Sequence, residues 1–477
     1  MTLDIRTRAD HYPSRQAAID HSSKERWTYG RLAEEADRSA GRLQAMGVGP
    51  DDTVAVLSRN RLDLLSLFFG ARSIGVTVAP ISYRLPEDAI DSLLDRIDPN
   101  VVLAETHFEE TIDALGIEWS GFDEFESIAP QSPPDVDPAE EPLYLHTGGT
   151  TGTPKVVVIS DRQLEWNAIT EVAAWGLGRE SISPILLPMF HTGGWTLLTI
   201  PTLYVGGTVV LQREFDPGGA LEMIETYGAT QVFGVAAIFD AIRQTERFAE
   251  TDLSSVAWMM SGGGPTPEDI AETYRDRGVP FVRGYGLTEG GPNNLYMDPE
   301  RDVSKPGSAG RPFPDVEARI VSDGDPVGPN TVGELEFRGP VTADRYLETD
   351  DGTFEGEWIS TGDLARRDED GDYFIVGRTD NMFVSGGENV YPEAIESVLE
   401  DHPDVEAVGV IGIPHDRWGT VPKAIVEGEG DPADLRSFAG DTLADYEVPR
   451  DFEFVDELPR SGPGKLDREA LERRFGR

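Results

Sequence analysis

One short stretch of the chain, HTGGTTGTPKVVV from His146 to Val158, combines glycines, hydroxyl side chains and a single lysine. Glycine leaves backbone N–H groups open to phosphate oxygens, hydroxyls add donors, and the Lys155 ammonium supplies positive charge. The residues on either side read as short buried strands, so we predict a loop between two strands. This loop suits a phosphate group, and a surface hairpin made of ordinary turn residues is the plain alternative.

The loop differs from the phosphate loop of kinases and nucleoside triphosphatases, whose pattern is G-x-x-x-x-G-K-[ST]. Here Lys155 follows Pro154, and Val156 stands where that pattern needs a magnesium-binding hydroxyl. The segment that follows is rich in β-formers, so no helix N-terminus is expected there to hold phosphate. The sequence therefore disfavours a triphosphatase of that class.

Five further stretches place glycines, a histidine, acids or a second lysine in loops. In open α/β sheets, ligands bind at the carboxyl ends of strands, where we expect several of these loops to lie. The stretches are LPMFHTGG (187–194), MMSGGGP (259–265), GYGLTEGG (284–291), STGDLARRDEDGDYFIVGRTDNMFVSGGENVYP (360–392) and PRSGPGKLDR (459–468).

The secondary structure predicted to position these loops differs among three parts of the chain. Up to about residue 310, helix-like and strand-like segments alternate, which predicts an α/β fold with a mostly parallel sheet. Residues 311–377 hold short β segments separated by D-G and G-P turns, which predicts a β-rich subdomain. We expect one large N-terminal domain over 1–379, and a small C-terminal α+β domain over 380–477.

Charge is the unusual property of the composition. The 477 residues include 87 acidic and 41 basic ones, for a formal net charge of -46. Acids are spread along the chain, so nucleic acid is a poor partner for this surface. No apolar run is long enough to span a membrane. The chain has no cysteine, which excludes disulfides and thiol chemistry.

Such a charge density repels itself in ordinary cytosol. At molar salt the screening length falls to roughly 3 Å, and this repulsion largely vanishes. We therefore predict a halophilic protein of a high-salt cytoplasm. The chain has five lysines, Lys24, Lys155, Lys305, Lys423 and Lys465. Because lysine is so scarce, we expect that those that remain more often occupy positions where a compact ammonium is needed.

Taken together, these stretches resemble the AMP-forming adenylating superfamily, which comprises acyl-CoA synthetases, peptide-synthetase adenylation domains and luciferases. HTGGTTGTPK is similar to its phosphate loop, YGLTE to its adenine and metal motif, and STGD to its ribose motif. GRTDNMFVSGGENVYP is similar to its hinge, and PRSGPGKLDR to its catalytic-lysine loop. The motifs cover nearly the whole chain in the family's order. The resemblance implies ATP, Mg²⁺ and CoA as ligands.

The resemblance implies a role for each matching residue. Lys465, Glu289, Thr288 and His191 would act in catalysis, with Glu289 also the metal ligand, because Mg²⁺ prefers carboxylate and phosphate oxygens. Positive charge from lysine and Mg²⁺ would offset the charge that builds on the transferring phosphoryl group. The implied nucleotide-binding residues are Thr147, Thr150, Thr151, Gly152, Lys155, Gly263, Gly264, Pro265, Tyr285, Asp363 and Arg378.

The resemblance also implies a mobile C-terminal domain that rotates about Asp380. This rotation would replace the Lys465 loop by the SGGEN loop, in which Gly386 and Gly387 would line a tunnel for the CoA thiol arm. The chain departs from the family pattern at three places, which puts the fine geometry of ATP binding in question. Gly148 stands where serine is usual, Val156 where glycine is usual, and Arg283 where glutamine is usual.

The substrate is predicted from the stretch around His191. Amino-acid-activating relatives carry an aspartate where this chain reads Phe190-His191, so an amino acid substrate is disfavoured. Gly193 stands where aryl-activating relatives often place an aromatic, which predicts a roomy slot for a medium- or long-chain fatty acid. Aryl acids such as coumarate, benzoate or succinylbenzoate are the runner-up. The predicted acid-binding residues are His191, Gly193, Trp195, Phe233 and Gly234.

Two other functions stay open at this point. A stand-alone adenylation enzyme would load a carrier protein instead of CoA, and a non-catalytic paralogue would only bind nucleotide. Lys465 and Glu289 are both present, which argues against the paralogue. We expect small-molecule partners, namely the carboxylic acid, ATP and CoA, and we leave a homodimer open.

Overall fold

The computed structural model describes residues 3–134, 136–147, 154–299, 305, 307–348, 352–354, 356–415, 417–461 and 465–476. By their contacts, the residues of the chain form two compact units. The boundary that we predict between residues 379 and 380 stays a prediction. The first unit comprises Met1–Pro306, Gly310–Ala318 and Phe337–Ile359, and the second comprises Gly307–Ala309, Arg319–Glu336 and Ser360–Arg477.

The largest sheet of the first unit has six strands and is parallel at its centre. Thr53–Leu57 is buried along its whole length and pairs in parallel with a strand on each side. A strand buried on both faces reads as a continuous apolar run, as TVAVL does here. In order across the sheet, the strands are Ser120–Gly121, Val101–Ala104, Thr53–Leu57, Thr77–Pro80, Leu143–Thr147 and Lys155–Ile159.

Two smaller sheets also lie in the first unit. In one of them, three consecutive strands run parallel, so their carboxyl ends share one edge. The glycine loops that follow Ser261 and Tyr285 begin at this edge. This sheet contains Gln231–Gly234, Trp258–Ser261, Phe281–Tyr285, Leu295–Tyr296 and Arg311–Pro312, and the other contains Arg26–Thr28, Gln16–Asp20, Thr208–Leu211 and Ile182–Ile185.

Helices alternate with these strands, and local capping sets several of their ends. Ser160 accepts a hydrogen bond from the backbone N–H of Gln163 at 3.2 Å, which starts Asp161–Trp175 directly after the strand that carries Lys155. The other α-helices of the unit are Ile5–His11, Tyr29–Ala45, Leu62–Ser73, Glu87–Ile97, Glu109–Leu115, Phe122–Ser127, Thr192–Trp195, Thr199–Val205, Pro217–Tyr227, Ala236–Arg243 and Glu268–Asp276. Short 3₁₀ turns span Thr106–Phe108, Glu246–Ala249 and Thr288–Gly290.

The second unit holds most of a five-stranded sheet, a three-stranded sheet and two hairpins. The predicted change to β-rich texture after residue 310 is visible in the five-stranded sheet, whose strands are Asp325–Pro326, Glu317–Ser322, Gly333–Arg338, Ile359–Arg367 and Tyr373–Arg378. The three-stranded sheet has Val405–His415, Gly419–Gly428 and Asp451–Val455. The hairpins pair Phe383–Ser385 with Glu388–Val390, and Arg460–Ser461 with Lys465–Leu466. The helices are Pro392–Leu399, Pro432–Gly440 and Arg468–Phe475.

The C-terminal part of the second unit has its own apolar core. Ile395 and Leu399, one turn apart on a helix, are fully buried against Val408 and Val410 of the three-stranded sheet. Helical spacing of apolar residues predicts this contact.

The α/β prediction is confirmed for the chain as a whole. Among the described helices, none has the length and apolar character that crossing a membrane requires.

Candidate active site

The predicted phosphate loop is flanked by two paired strands. Leu143–Thr147 and Lys155–Ile159 run antiparallel, and Thr147 lies opposite Lys155. The two strands predicted on either side of the loop are therefore confirmed, and they end at Thr147 and begin at Lys155. The other predicted ligands of this loop lie outside the described residues: Thr150, Thr151 and Gly152.

The Lys155 side chain lies over an aromatic ring. Its Nζ atom is 5.0 Å from the centroid of the Tyr346 ring, which is within the range of a cation–π interaction. The Tyr346 hydroxyl donates a hydrogen bond to Oε1 of Glu289 at 2.7 Å. One tyrosine side chain thus joins the predicted phosphate lysine to the predicted magnesium ligand. Tyr346 is not among the residues that the motifs predict, and its one signal is an aromatic residue in the run RYLETDD.

Glu289 lies in the 3₁₀ turn Thr288–Gly290, directly after the predicted α-phosphate ligand Thr288. It is 9% exposed, so its carboxylate is largely shielded from water. Mg²⁺ prefers hard oxygen ligands, and this carboxylate beside a lysine-bearing strand fits a metal bound to phosphate oxygens. The residues present therefore fit the predicted ion.

The predicted adenine pocket begins at the shared edge of two parallel strands. Ser261 pairs with Arg283, so the Gly263-Gly264-Pro265 loop follows one strand and Tyr285 ends the neighbouring strand. Gly263 has a φ of +77°, a left-handed backbone that glycine adopts without steric cost. A Cβ built on Gly264 would meet no atom within 4 Å, so this part of the loop is open.

The predicted ribose ligands lie in the second unit and contact each other. Asp363 and Arg378 are opposite residues on adjacent antiparallel strands. Nη1 of Arg378 donates to Oδ1 of Asp363 at 2.8 Å, and its Nη2 lies 3.4 Å from Oδ2 of the predicted hinge residue Asp380. The structure therefore brings these three predicted residues together within one unit.

The two loops predicted to exchange places are both short hairpins of the second unit. Gly386 and Gly387 form the turn between Phe383–Ser385 and Glu388–Val390. The backbone N–H of Gly386 donates to the carbonyl of Trp418 at 2.9 Å. A Cβ on Gly386 would lie 2.3 Å from the Trp418 ring, so only glycine fits there. Lys465 begins the second strand of its hairpin, and its side chain lies outside what the structure describes.

His191 lies in a cluster of buried rings directly before the short helix Thr192–Trp195. Its ring is 4.5 Å from Phe190 and 6.1 Å from His146. Burial and, to a smaller extent, the charge of Arg84 together lower the pKa of His191 to about 4. His191 is therefore neutral near pH 7. The motifs do not predict a role for the neighbouring imidazole of His146.

His146 has one fixed tautomer. Its Nε2 accepts a hydrogen bond from the backbone N–H of Ser82 at 3.0 Å, so the proton of the neutral ring sits on Nδ1. Burial and, to a smaller extent, the electrostatic effect of His191 together lower the pKa of His146 to about 3. Two neutral imidazoles therefore lie together beside the strand that leads into the phosphate loop.

The residues predicted to bind the acid divide into two groups. A Cβ on Gly193 would lie 2.6 Å from Cδ1 of Leu187 and 3.4 Å from Cε1 of Phe233, so Gly193 and Phe233 are neighbours on one apolar wall. Trp195, in contrast, is fully buried against Phe68 at 5.1 Å between ring centroids. Gly234 faces a helix, because its Cβ would lie 3.0 Å from Ile238.

Sequence comparison defines the class of protein to which this arrangement belongs. The AMP-binding enzyme family matches residues 5–347, and the C-terminal domain of AMP-binding enzymes matches residues 394–465. The chain belongs to this family. The resemblance read from the motifs is confirmed, as are a large N-terminal and a small C-terminal domain.

Individual relatives are CoA ligases of different acids. Feruloyl-CoA synthase of an Amycolatopsis species is 36% identical over 467 residues, which cover 94% of each chain. Long-chain-fatty-acid–CoA ligase FadD13 of Mycobacterium tuberculosis is 29% identical, covering 99% of this chain and 97% of its own. The structure of o-succinylbenzoate-CoA synthetase (MenE) from Bacillus subtilis with its acyl-adenylate intermediate superposes with a TM-score of 0.91 at 28% identity, covering 99% of this chain and 98% of its own. A further structure of that enzyme holds ATP and a magnesium ion.

Proposed function

We propose that the chain converts an apolar carboxylic acid to its acyl-adenylate with ATP, and then to its CoA thioester, with release of pyrophosphate and AMP. The chain is an AMP-forming acid–thiol ligase, and ATP, Mg²⁺ and CoA are its ligands. One observation carries the proposal. The Lys155 ammonium lies over the ring of Tyr346, and the hydroxyl of the same side chain donates to the Glu289 carboxylate. A cation and a hard anionic ligand that contact one side chain support a magnesium-bound polyphosphate as the ligand here.

The residues of the site divide the work of the first half-reaction. Lys155 and Thr147 bind phosphate oxygens, and Thr288 contacts the α-phosphate that the acid attacks. Bound Mg²⁺ offsets the negative charge of the phosphate oxygens. Lys465 bridges the carboxylate and the α-phosphate, which aligns them and counters the developing charge. No protein nucleophile is required, because the carboxylate of the acid is itself the nucleophile.

Neutral histidines suit the second half-reaction and the acid pocket. His191 and His146 do not carry charge near neutral pH, because burial holds both pKa values well below the usual value. The two imidazoles therefore add no positive charge of their own to the ring cluster, and the guanidinium of Arg84 lies 5.9 Å from the centroid of the Phe190 ring. His191 borders the acyl group and the thiol arm in this proposal, and Gly386 and Gly387 line the thiol path.

We propose an aryl acid as the first candidate substrate. A methyl group at the flexible end of the Leu187 side chain lies beside Gly193, where its Cδ1 would be 2.6 Å from a Cβ. Leu187 and Phe233 offer an apolar surface at this position, against which a planar ring can pack. The relatives named for feruloyl-CoA and o-succinylbenzoate-CoA support this choice. A medium- or long-chain fatty acid is the second candidate, supported by the FadD13 relative.

A panel of acids tests the proposal. Pyrophosphate release is measured in molar KCl with hydroxycinnamates, benzoates, succinylbenzoate and saturated fatty acids of graded length, each with and without CoA. We expect aryl acids to give the highest kcat/KM and CoA to be required for turnover. Turnover that is indifferent to CoA would favour loading of a carrier protein. If no acid supports ATP–pyrophosphate exchange, the proposed function is wrong.

A matched pair of variants tests whether Gly193 borders the acid pocket. Gly193→Ala forces Leu187 to move, and overpacking of this kind costs roughly 1–3 kcal/mol. The change should lower kcat/KM for the preferred acids and leave ATP affinity unaltered. Gly178→Ala, where a Cβ meets nothing within 4 Å, is the control. An acid profile that is the same in both variants would remove Gly193 from the pocket.

Location and assembly belong to the same proposal. We propose a cytoplasmic enzyme of a high-salt cell, on the charge of -46. A homodimer stays open as the assembly, and light scattering in molar KCl tests it, because a monomeric mass would exclude it.

A further inference from the structure

We propose that Tyr346 is a positioning residue of the active site, whose hydroxyl orients the magnesium ligand Glu289 and whose ring holds the phosphate lysine Lys155. This inference rests on the proposed function, because it concerns the same magnesium and phosphate groups. It assigns a role to a segment that none of the sequence motifs covers.

The backbone around Tyr346 is hydrogen-bonded at both ends to the elements that it connects. On one side, Leu347 N donates to Val156 O at 2.8 Å, within the strand that begins at Lys155. On the other side, Ala343 N donates to the carbonyl of Glu289 at 2.8 Å. A short extended segment therefore fixes the distance between the lysine-bearing strand and the glutamate-bearing turn.

The side chain of Tyr346 also links the strand that begins at Lys155 to the turn that carries Glu289, through its ring and its hydroxyl. Its ring lies under the Lys155 ammonium at 5.0 Å, and its hydroxyl donates to Glu289 Oε1 at 2.7 Å. The ring of Phe354 packs edge-on against it, with 4.9 Å between centroids. Tyr346 is 6% exposed, so packing restricts its rotation. The hydroxyl therefore reaches the carboxylate from a fixed direction.

A hydrogen bond to a metal-binding carboxylate has a known consequence. Partners of this kind orient the ligand, and their loss typically lowers metal affinity or activity by about 10- to 100-fold. A cation–π contact contributes less at a partly open site, roughly 0.5–1 kcal/mol, or about two- to fivefold. The two ends of the tyrosine should therefore produce separable effects.

Two substitutions separate the hydroxyl from the ring. Tyr346→Phe keeps the ring beside Lys155 and removes the bond to Glu289, whereas Tyr346→Leu removes both. Tyr274→Phe is the matched control, because it also removes one buried hydroxyl, which donates to the carbonyl of Phe239 at 2.7 Å. Each protein is titrated with ATP by calorimetry, in EDTA and at graded Mg²⁺, so that binding is read without turnover.

We expect the wild type to bind ATP more tightly with Mg²⁺ than in EDTA. Tyr346→Phe should raise the Mg²⁺ concentration for half-maximal effect by about 10-fold or more, with unchanged affinity in EDTA. Tyr346→Leu should also weaken binding in EDTA by about two- to fivefold. Tyr274→Phe should leave both measurements unchanged.

A double variant tests whether the hydroxyl of Tyr346 acts through Glu289. If the hydroxyl acts through the carboxylate, Tyr346→Phe has no further effect on Mg²⁺ dependence in a Glu289→Gln protein. The inference is overturned if Tyr346→Phe keeps a wild-type Mg²⁺ dependence, or if it unfolds where Tyr274→Phe does not, since the hydroxyl is then structural. Failure of the proposed function would instead appear as absent ATP binding in the wild type.

Discussion

Nη1 of Arg378 lies 2.8 Å from Oδ1 of Asp363, and the two residues lie opposite each other on adjacent strands. The guanidinium donates to one carboxylate oxygen, and such a contact suits the predicted role of Asp363 as an acceptor for ribose hydroxyls. Asp363→Asn keeps the shape and removes the charge. Since hydrogen bonds to charged groups are worth about 1.5–3 kcal/mol, KM for ATP should rise about tenfold or more, with a smaller change in kcat.

Steady-state kinetics with varied ATP measures this effect. Asp344→Asn is the control, because Asp344 is 71% exposed and pairs with Arg162 at 3.0 Å on the surface. Equal KM values for ATP in the two variants would remove Asp363 from the ribose site.

The buried histidines predict an acid-sensitive fold. His146 and His191 have folded-state pKa values of about 3 and about 4, below the usual value of 6.5. Both stay neutral in the fold while the unfolded chain takes up protons, so their contribution is complete above pH 6.5 and is lost as pH falls toward 4. At pH 5 each histidine should lower the free energy of unfolding by about 2 kcal/mol relative to pH 7.5.

Urea unfolding of the wild type and of His146→Gln at both pH values checks this expectation. Between the two pH values, the change in the free energy of unfolding of His146→Gln should differ from that of the wild type by about 2 kcal/mol, while the exposed His11→Gln should show the wild-type change. A variant with the full wild-type pH dependence would contradict the assignment.

Lys465 should matter for one half-reaction alone. Losing a preorganised cation beside the developing charge typically costs about 10²- to 10³-fold, or roughly 2.7–4 kcal/mol. Lys465→Ala should therefore lose acid-dependent adenylation, yet convert supplied acyl-adenylate and CoA to thioester at nearly the wild-type rate. Single-turnover assays of the two steps measure this. The control is Lys24→Ala, which removes a surface pair with Glu222 at 3.2 Å. If Lys465→Ala adenylates within about tenfold of wild type, the catalytic assignment fails.

If the C-terminal domain rotates about Asp380, a substitution that blocks the rotation should affect thioester formation and spare adenylation, which is the reverse of the effect expected for Lys465→Ala. Proline fixes one backbone dihedral, so Asp380→Pro should keep adenylation and lose thioester formation. The substitution also removes the carboxylate beside Arg378, and Asp380→Ala separates this loss from the backbone effect. Only the proline variant should lose the second step. Equal loss of both half-reactions in Asp380→Pro would place the pivot elsewhere.

The charge of -46 predicts a fold that requires salt. Screening shortens from about 10 Å at 0.1 M to about 3 Å at 1 M salt, so repulsion between surface acids should fall steeply over this range. The near-UV circular dichroism signal and Tm should increase with KCl concentration, and both should decrease when the KCl is diluted. Sucrose at equal osmolarity is the control. If sucrose rescues the fold as well as KCl does, screening is not the cause.

The local part of the site could be predicted, and the long-range part could not. The two strands around the phosphate loop follow from apolar runs that end at glycine and proline, and these signals lie within a few residues of each other. The link from Lys155 to Glu289 depends on Tyr346, which reaches the site because a distant segment pairs with Val156 and Val158. No local pattern encodes that pairing.

Side-chain direction explains the remaining differences. The sequence predicts that Gly193 and Trp195 both border the acid slot, and in the structure a methyl group of Leu187 lies beside Gly193. The Trp195 ring packs in the core against Phe68. Both outcomes depend on how a short helix is turned against its neighbours, which residue type alone does not determine. Whether these residues contact the acid stays a prediction.

The path of the chain between its two units has a consequence for dissection by proteolysis or truncation. The chain leaves the first unit after residue 306, returns at 310, leaves again after 318, returns at 337 and leaves for the last time after 359. No single cut can therefore separate the units as intact fragments. A truncation after residue 379 would keep the strands Ile359–Arg367 and Tyr373–Arg378 with the longer fragment, and would release a piece smaller than the second unit. Half-reactions are best separated by point variants of the full chain, such as those at Lys465 and Asp380, because isolated fragments would break the second unit apart.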